Sequence, residues 1–179
     1  MGSPIDLSGS AIAASDVAAK SGVGAAEASG ISVVVLTVSD RSARGEREDR
    51  SGPAAIEALK LAGFESIAHA VIPDGQEVVE SAISDGVEAD ADLILTLGGT
   101  GVGPRDRTPE GARPVIDQEL PGIAEGLRAA GARKIPTAVL SRGLAGISRP
   151  SASGHRSVII NLPGSTGGVR DGVEYLAPL

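Results

Sequence analysis

LILTLGGTGVGPRDRTPE, residues 93–110, changes character half-way along. The aliphatic first part reads as a buried strand, whereas the second part has too many glycines for regular structure and too many charges for a core. Gly98, Gly99, Gly101 and Gly103 remove side chains where main chain must approach something closely, and the N–H groups of 98–101, Thr100 included, can form a concave cradle for an anion. Thr108, Pro109 and Glu110 are expected as N-cap, N1 and N2 of a following helix, whose positive dipole end favours negative charge at the same place. Arg105 and Arg107 add cationic groups suited to phosphate. A tight turn without a ligand is the plainer reading, and the stretch is neither a P-loop nor a G-x-G-x-x-G fingerprint; the glycines, the helix start and the two arginines together favour phosphate.

The flanking sequence supplies the architecture. ISVVVLTVSD (31–40) is an apolar, β-branched run of the kind buried on both sheet faces. The charged segment from Arg41 to Arg50 is expected as a mobile loop. SGPAAIEALKLAG (51–63) then predicts a helix with Ser51 as N-cap, Pro53 in its first turn and Gly63 as its stop. FESIAHAVIPDG (64–75) predicts a second strand ending in a turn at Pro73-Asp74-Gly75. Val79, Ala82, Ile83 and Val87 follow at helical spacing, before the strand of the opening stretch. Strand, helix, strand, helix, strand implies right-handed crossovers and a mostly parallel sheet in an α/β domain. Beyond it, EGARPVIDQEL (110–120) and PGIAEGLRAAGARK (121–134) read as helices, the first interrupted at Pro114. TAVLSRGLAGISR (137–149) and HRSVIINLPG (155–164) read as strands joined by PSASG, and residues 165–179 as a closing helix.

Composition narrows the partners. The 179 residues fit one domain with a core; residues 1–30, rich in Ala, Gly and Ser, are expected as a flexible extension, and residues 31–179 as the folded domain. A net charge of −7 argues against broad nucleic-acid binding. No cysteine is present, and two histidines, His69 and His155, are too few for a thiolate or histidine metal centre. Oxygen-ligated Mg²⁺ remains available. No apolar run suits a membrane span, and the N-terminus lacks the pattern of a secretory signal, so a cytoplasmic location is expected.

Parallel α/β sheets bind ligands at the carboxyl ends of their strands. Here those ends are Thr37 to Asp40, including Ser39, then Pro73 to Gly75, Gly98 to Gly103 and Pro163 to Gly168. Asp74 and Asp106 stand out as candidate Mg²⁺ ligands beside a polyphosphate, because both fall in glycine-rich turns at such ends. Capping of a turn is the competing role for each. Asp40 and Asp49 are expected in turn and loop roles, and His69 as structural.

These segments resemble the MogA/MoaB-like molybdopterin-binding family of molybdenum cofactor biosynthesis, whose fold recurs in eukaryotic gephyrin. The resemblance rests on VSDRSARGEREDRSG (38–52), IPD (72–74), LTLGGTGVGPRDRTPE (95–110), LSR (140–142) and NLPGS (161–165), in family order. It implies a three-layer α/β/α domain, usually trimeric, that binds molybdopterin and, in its MogA branch, adenylylates it with Mg-ATP. By the same resemblance Asp74 and Asp106 are the catalytic and Mg²⁺-holding pair. Ser39, Asp40, Gly98, Gly99, Thr100, Gly101, Arg105, Thr108, Glu110, Pro163, Gly164 and Ser165 are implied to bind pterin, phosphate or nucleotide. A downstream molybdate-insertion protein is the implied partner, and a non-catalytic, pterin-binding MoaB-type carrier or scaffold protein is the alternative. Arg107, Pro114 and the STGG after the PG turn depart from the family pattern.

Overall fold

The computed structural model describes residues 30–179, so the expectation of a flexible extension lies, but for its last residue, outside the described residues. Six strands form one sheet: β1 (Ser32–Val38), β2 (Ser66–Ile72), β3 (Leu93–Leu97), β4 (Ile116–Glu119), β5 (Ala145–Ser148) and β6 (Val158–Leu162), in the order β2-β1-β3-β6-β5-β4. β2, β1, β3 and β6 are parallel, and β5 runs antiparallel to both β6 and β4. The mostly parallel α/β expectation is met.

Alternation along β1 explains the layers. Val33 and Val35 enter one core cluster and Val34, Leu36 and Val38 the other, so an unbroken apolar run is buried on both faces. On one face lie α3 (Gln76–Glu88) and α4 (Thr108–Ala112), and on the other α2 (Ser51–Leu61), α5 (Pro121–Ala132) and α6 (Thr166–Leu176). Val79, Ala82, Ile83 and Val87 of α3 are all buried, as their spacing predicts. The crossovers β1-α2-β2 and β2-α3-β3 leave the sheet on opposite faces. β2 and β3 therefore flank β1, and a crevice opens where β1 and β3 end.

Several local expectations are corrected. Arg41 to Arg50 is not wholly irregular: α1 (Asp40–Ala43) is a helical turn capped by the Ser39 side chain, which accepts from the Ser42 amide. Ser51 is not the N-cap of α2 but its first residue; Asp49 Oδ1 accepts from the Ser51 and Gly52 amides and from Ser51 Oγ. Asp is a strong acceptor for these otherwise unpaired donors. Thr108 likewise is the first residue of α4, with Arg107 at the cap and no side-chain capping bond. Residues 110–120 are helical only over Glu110–Ala112, the end of α4; the chain breaks before Pro114 as expected, but Ile116–Glu119 pairs with β5 instead of resuming a helix. Within 137–149 only Ala145–Ser148 is strand, and Pro136–Leu140 is a 3₁₀ turn.

Candidate functional site

A cleft of about 340 Å³ opens over the carboxyl ends of β1, β3 and β6, the reversal point of the strand order. Of the residues singled out by sequence, Ser39, Asp40, Asp74, Gly98, Gly99, Thr100, Gly101, Arg105, Asp106 and Gly164 line it. Residues from four separate loops thus meet at one place. Thr108, Glu110, Pro163 and Ser165 do not line it, and the structure gives three of these four other duties. Thr108 is fully buried beneath the glycine turn, Glu110 is tied to Arg142, and Ser165 caps α6 by accepting from the Gly168 amide.

Sheet geometry shapes the glycine turn. The Gly98 amide continues the β3–β6 ladder by donating to Leu162 O at 3.0 Å, so it is already engaged within the protein. Gly99 has φ +61°, and a Cβ there would lie 2.2 Å from Thr108 Oγ1, while Gly99 O accepts from the Thr108 amide at 3.0 Å. Only glycine meets both demands. Beyond it, the amides of Gly99, Thr100 and Gly101 donate to no group among the described residues. Three of the four expected cradle donors therefore remain available to an anion.

Two aspartates face this turn from different loops. Asp106 Oδ2 accepts from the Gly103 amide at 2.9 Å, which closes the loop that carries it. Asp74 Oδ2 accepts from the Asp40 amide at 2.8 Å, and Asp40 Oδ1 accepts from the Asp74 amide at 3.1 Å. This reciprocal pair clasps the end of β1 to the end of β2. Arg105 Nη1 donates to Asp40 Oδ2 at 2.7 Å and so reaches across the cleft from the loop after β3. The capping role weighed for each aspartate is present, and each keeps its Oδ1 without a partner among the described residues. Mg²⁺ needs few protein ligands, because it retains waters and takes oxygens from substrate phosphates. Among the described residues no three potential ligating side chains gather into a metal site.

Sequence reasoning singled out no site role for two anchors. Arg142 donates from Nε to Gly101 O at 2.7 Å, from Nη1 to Glu110 Oε1 at 2.5 Å, and from Nη2 to Asp106 O, while its amide donates to Thr100 O at 2.8 Å. One guanidinium thereby fixes the glycine turn, the Asp106 loop and α4 together. Its hydrogen bond holds Glu110 below the usual carboxylate range, against the opposing effect of burial. The LSR motif was the available signal, but its contacts lie more than 30 residues away in sequence.

The second anchor is Asp49. Its Oδ2 accepts from Thr37 Oγ1 at 2.9 Å and lies 3.1 Å from His69 Nε2, while Oδ1 holds the start of α2. Burial would raise its pKa; donors from Gly52, Thr37 and Ser51, with the nearby His69 ring, outweigh that and hold it below its ordinary value. A Cβ on Gly52 would stand 2.2 Å from His69 Nε2, so glycine is required for the cluster to close. His69 is structural, as expected. Thr37 and Ser51 also line the cleft, as do Arg41 and Arg47, for which no site role was expected.

The same combination of fold and loops occurs in known proteins. A family model described as a probable molybdopterin binding domain matches residues 34–179. The chain belongs to the molybdopterin-binding domain family. Among its members, a molybdopterin adenylyltransferase of Pyrococcus furiosus is 40% identical over 143 residues, covering 79% of this chain and 82% of the relative. The molybdopterin adenylyltransferase of Escherichia coli K12 is 36% identical over 144 residues, covering 78% and 70%. A solved molybdopterin-binding relative, the molybdopterin biosynthesis enzyme MoaB of Thermus thermophilus, superimposes with a TM-score of 0.74 at 43% identity, covering 83% of this chain and 90% of that one. The three-layer architecture expected from the resemblance is thus the family's own. Molybdenum cofactor biosynthesis is the process to which these relatives tie the domain.

Proposed function

We propose that this chain adenylylates molybdopterin, transferring AMP from Mg-ATP to the terminal phosphate of the pterin. The observation that carries the reading is the meeting, in one cleft, of three undonated amides at Gly99–Gly101 with the carboxylates of Asp74 and Asp106. Curated relatives at 36–40% identity bear the name molybdopterin adenylyltransferase. In the reaction an oxygen of the pterin phosphate attacks the α-phosphorus of ATP. The bond from that phosphorus to the α,β-bridging oxygen breaks, and pyrophosphate leaves with its electron pair.

Such transfers depend on positioning and charge stabilisation. The amides of Gly99, Thr100 and Gly101 receive phosphate oxygens, with Gly164 bordering the pterin. Ser39 and Asp40 brace the far wall. Arg105, held by Asp40, adds positive charge to that wall, while Thr108 and Glu110 act from beneath by supporting the turn. Asp74 and Asp106 would hold Mg²⁺, which supplies neutralisation of the polyphosphate when bound. The domain of residues 31–179 is sufficient for this chemistry in our reading, and it works in the cytoplasm as a homotrimer that hands its product to a molybdate-insertion protein.

A carrier role is the second reading; structures named MoaB and MogA match this chain alike, at 43% and 44% identity and both with a TM-score of 0.74, so likeness does not choose between the branches. One experiment separates them. Purified protein is incubated with molybdopterin and Mg-ATP, and adenylylated pterin is sought by mass spectrometry. Its formation with release of pyrophosphate is expected; pterin binding without that product would leave only the carrier.

A further inference from the structure

The cleft is also lined by two arginines whose guanidinium groups are left without a bonded partner. Arg41 and Arg47 line the cleft, yet neither guanidinium makes an ion pair or hydrogen bond among the described residues. Scarcity of partners is not the reason, since the chain has 23 acidic residues against 16 basic ones. Neighbouring arginines are all engaged: Arg44 holds Glu46 at 2.8 Å, Arg50 holds Glu48 at 3.4 Å, and Arg105 holds Asp40 at 2.7 Å.

Backbone bonds bring the two residues together in one closed loop. Arg41 O accepts from the amides of Glu46 at 2.8 Å and Arg47 at 3.2 Å, closing the loop on itself. The loop is anchored at one end by the Asp40–Asp74 clasp and at the other by Asp49 on Thr37. Two guanidinium groups lining one cleft repel each other, and an anion bound by both relieves that repulsion.

We infer that Arg41 and Arg47 bind the β- and γ-phosphates of the nucleotide and the pyrophosphate that leaves, in the same cleft as the amides that take the pterin phosphate. This rests on the adenylyltransferase reading and adds to it a division of the cleft: acceptor phosphate on the glycine turn, departing phosphates on the two arginines. Each guanidinium offers donors in a planar fork matched to phosphate oxygens. The charge that accumulates on pyrophosphate as the α,β bond breaks is stabilised there.

The test uses the full chain and an Arg41→Gln/Arg47→Gln double variant. Inorganic pyrophosphate binding is measured by calorimetry with Mg²⁺ present, and initial rates are measured against ATP at saturating pterin. Expected are a weakening of pyrophosphate affinity and a rise in KM for ATP, each roughly 10-fold or more, with pterin affinity and thermal midpoint unchanged. An Arg133→Gln/Arg149→Gln variant removes the same charge from exposed, unpaired arginines outside the cleft, and is expected to behave as wild type. Unchanged pyrophosphate affinity in the first variant, or an equal loss in the second, would overturn the inference. Failure of the wild type to form adenylylated pterin would instead overturn the functional reading, while the pyrophosphate measurement still decides whether the arginine pair binds it.

Discussion

Asp106 carries two roles that a single substitution can separate. Its Oδ2 closes a turn on Gly103, and the residue lines the cleft with its other oxygen unpartnered among the described residues. Asp106→Asn keeps an acceptor for the Gly103 amide but removes the charge. Adenylylation is expected to fall roughly 100-fold or more, with pterin binding retained; full turnover in that variant would take Asp106 out of the mechanism. Asp49 makes the opposite prediction, since its carboxylate is engaged entirely in structure. Asp49→Ala is expected to cost about 1–3 kcal/mol in urea unfolding, because it strips an acceptor from the start of α2 and from Thr37. The folded-state pKa of Asp49 is depressed, so its stabilisation is complete above the unfolded value, about 3.9, and is lost as pH falls through the folded value. The wild-type advantage over the variant should therefore shrink on acidification. An advantage that grew would contradict the geometry.

At the scale of elements, β3 and β6 are joined by more than their ladder. Asn161 Nδ2 donates to Thr96 Oγ1 at 2.9 Å in the core, and Asn161 Oδ1 accepts from the Leu144 amide at 3.1 Å. Thr96→Val should destabilise by about 1–3 kcal/mol, since it leaves a buried amide without its partner. Urea titration checks this, and a loss near zero would mean that the pair contributes nothing. Elements with a long apolar period were legible from sequence: β1 to β3, α2 and α3 stand where their patterns put them. Residues 110–120 were not. The four residues Ile116–Glu119 are too few to show a period, and three of them are exposed, so only pairing with β5 makes them a strand. The cap of α2 was missed for a related reason. Asp49 and Ser51 are both good capping residues, and which one accepts depends on where Thr37 and His69 hold the carboxylate.

For the whole molecule, sheet order does what no local pattern can. It brings the ends of β1, β2, β3 and β6 together, so that Asp74 and Asp106 share one cleft although 32 residues separate them. Assembly belongs to this scale as well. Light scattering is expected to return the mass of three chains, and a monomer at micromolar concentration would remove the trimer from the functional reading. Among the described residues no helix is long and apolar enough to cross a membrane.

The amino-acid sequence alone determined the βαβ core and the glycine turn, and marked Asp74 and Asp106 as turn residues at strand ends, because hydrophobic period and turn chemistry are local properties. Tertiary structure alone decided which turn amides stay undonated, that Arg142 ties three segments together, and that Arg41 and Arg47 face the cleft unpaired while their neighbours do not. Hydrogen bonds and ion pairs between loops depend on distances set by the packed sheet, and residues far apart in the chain acquire those distances only when it folds.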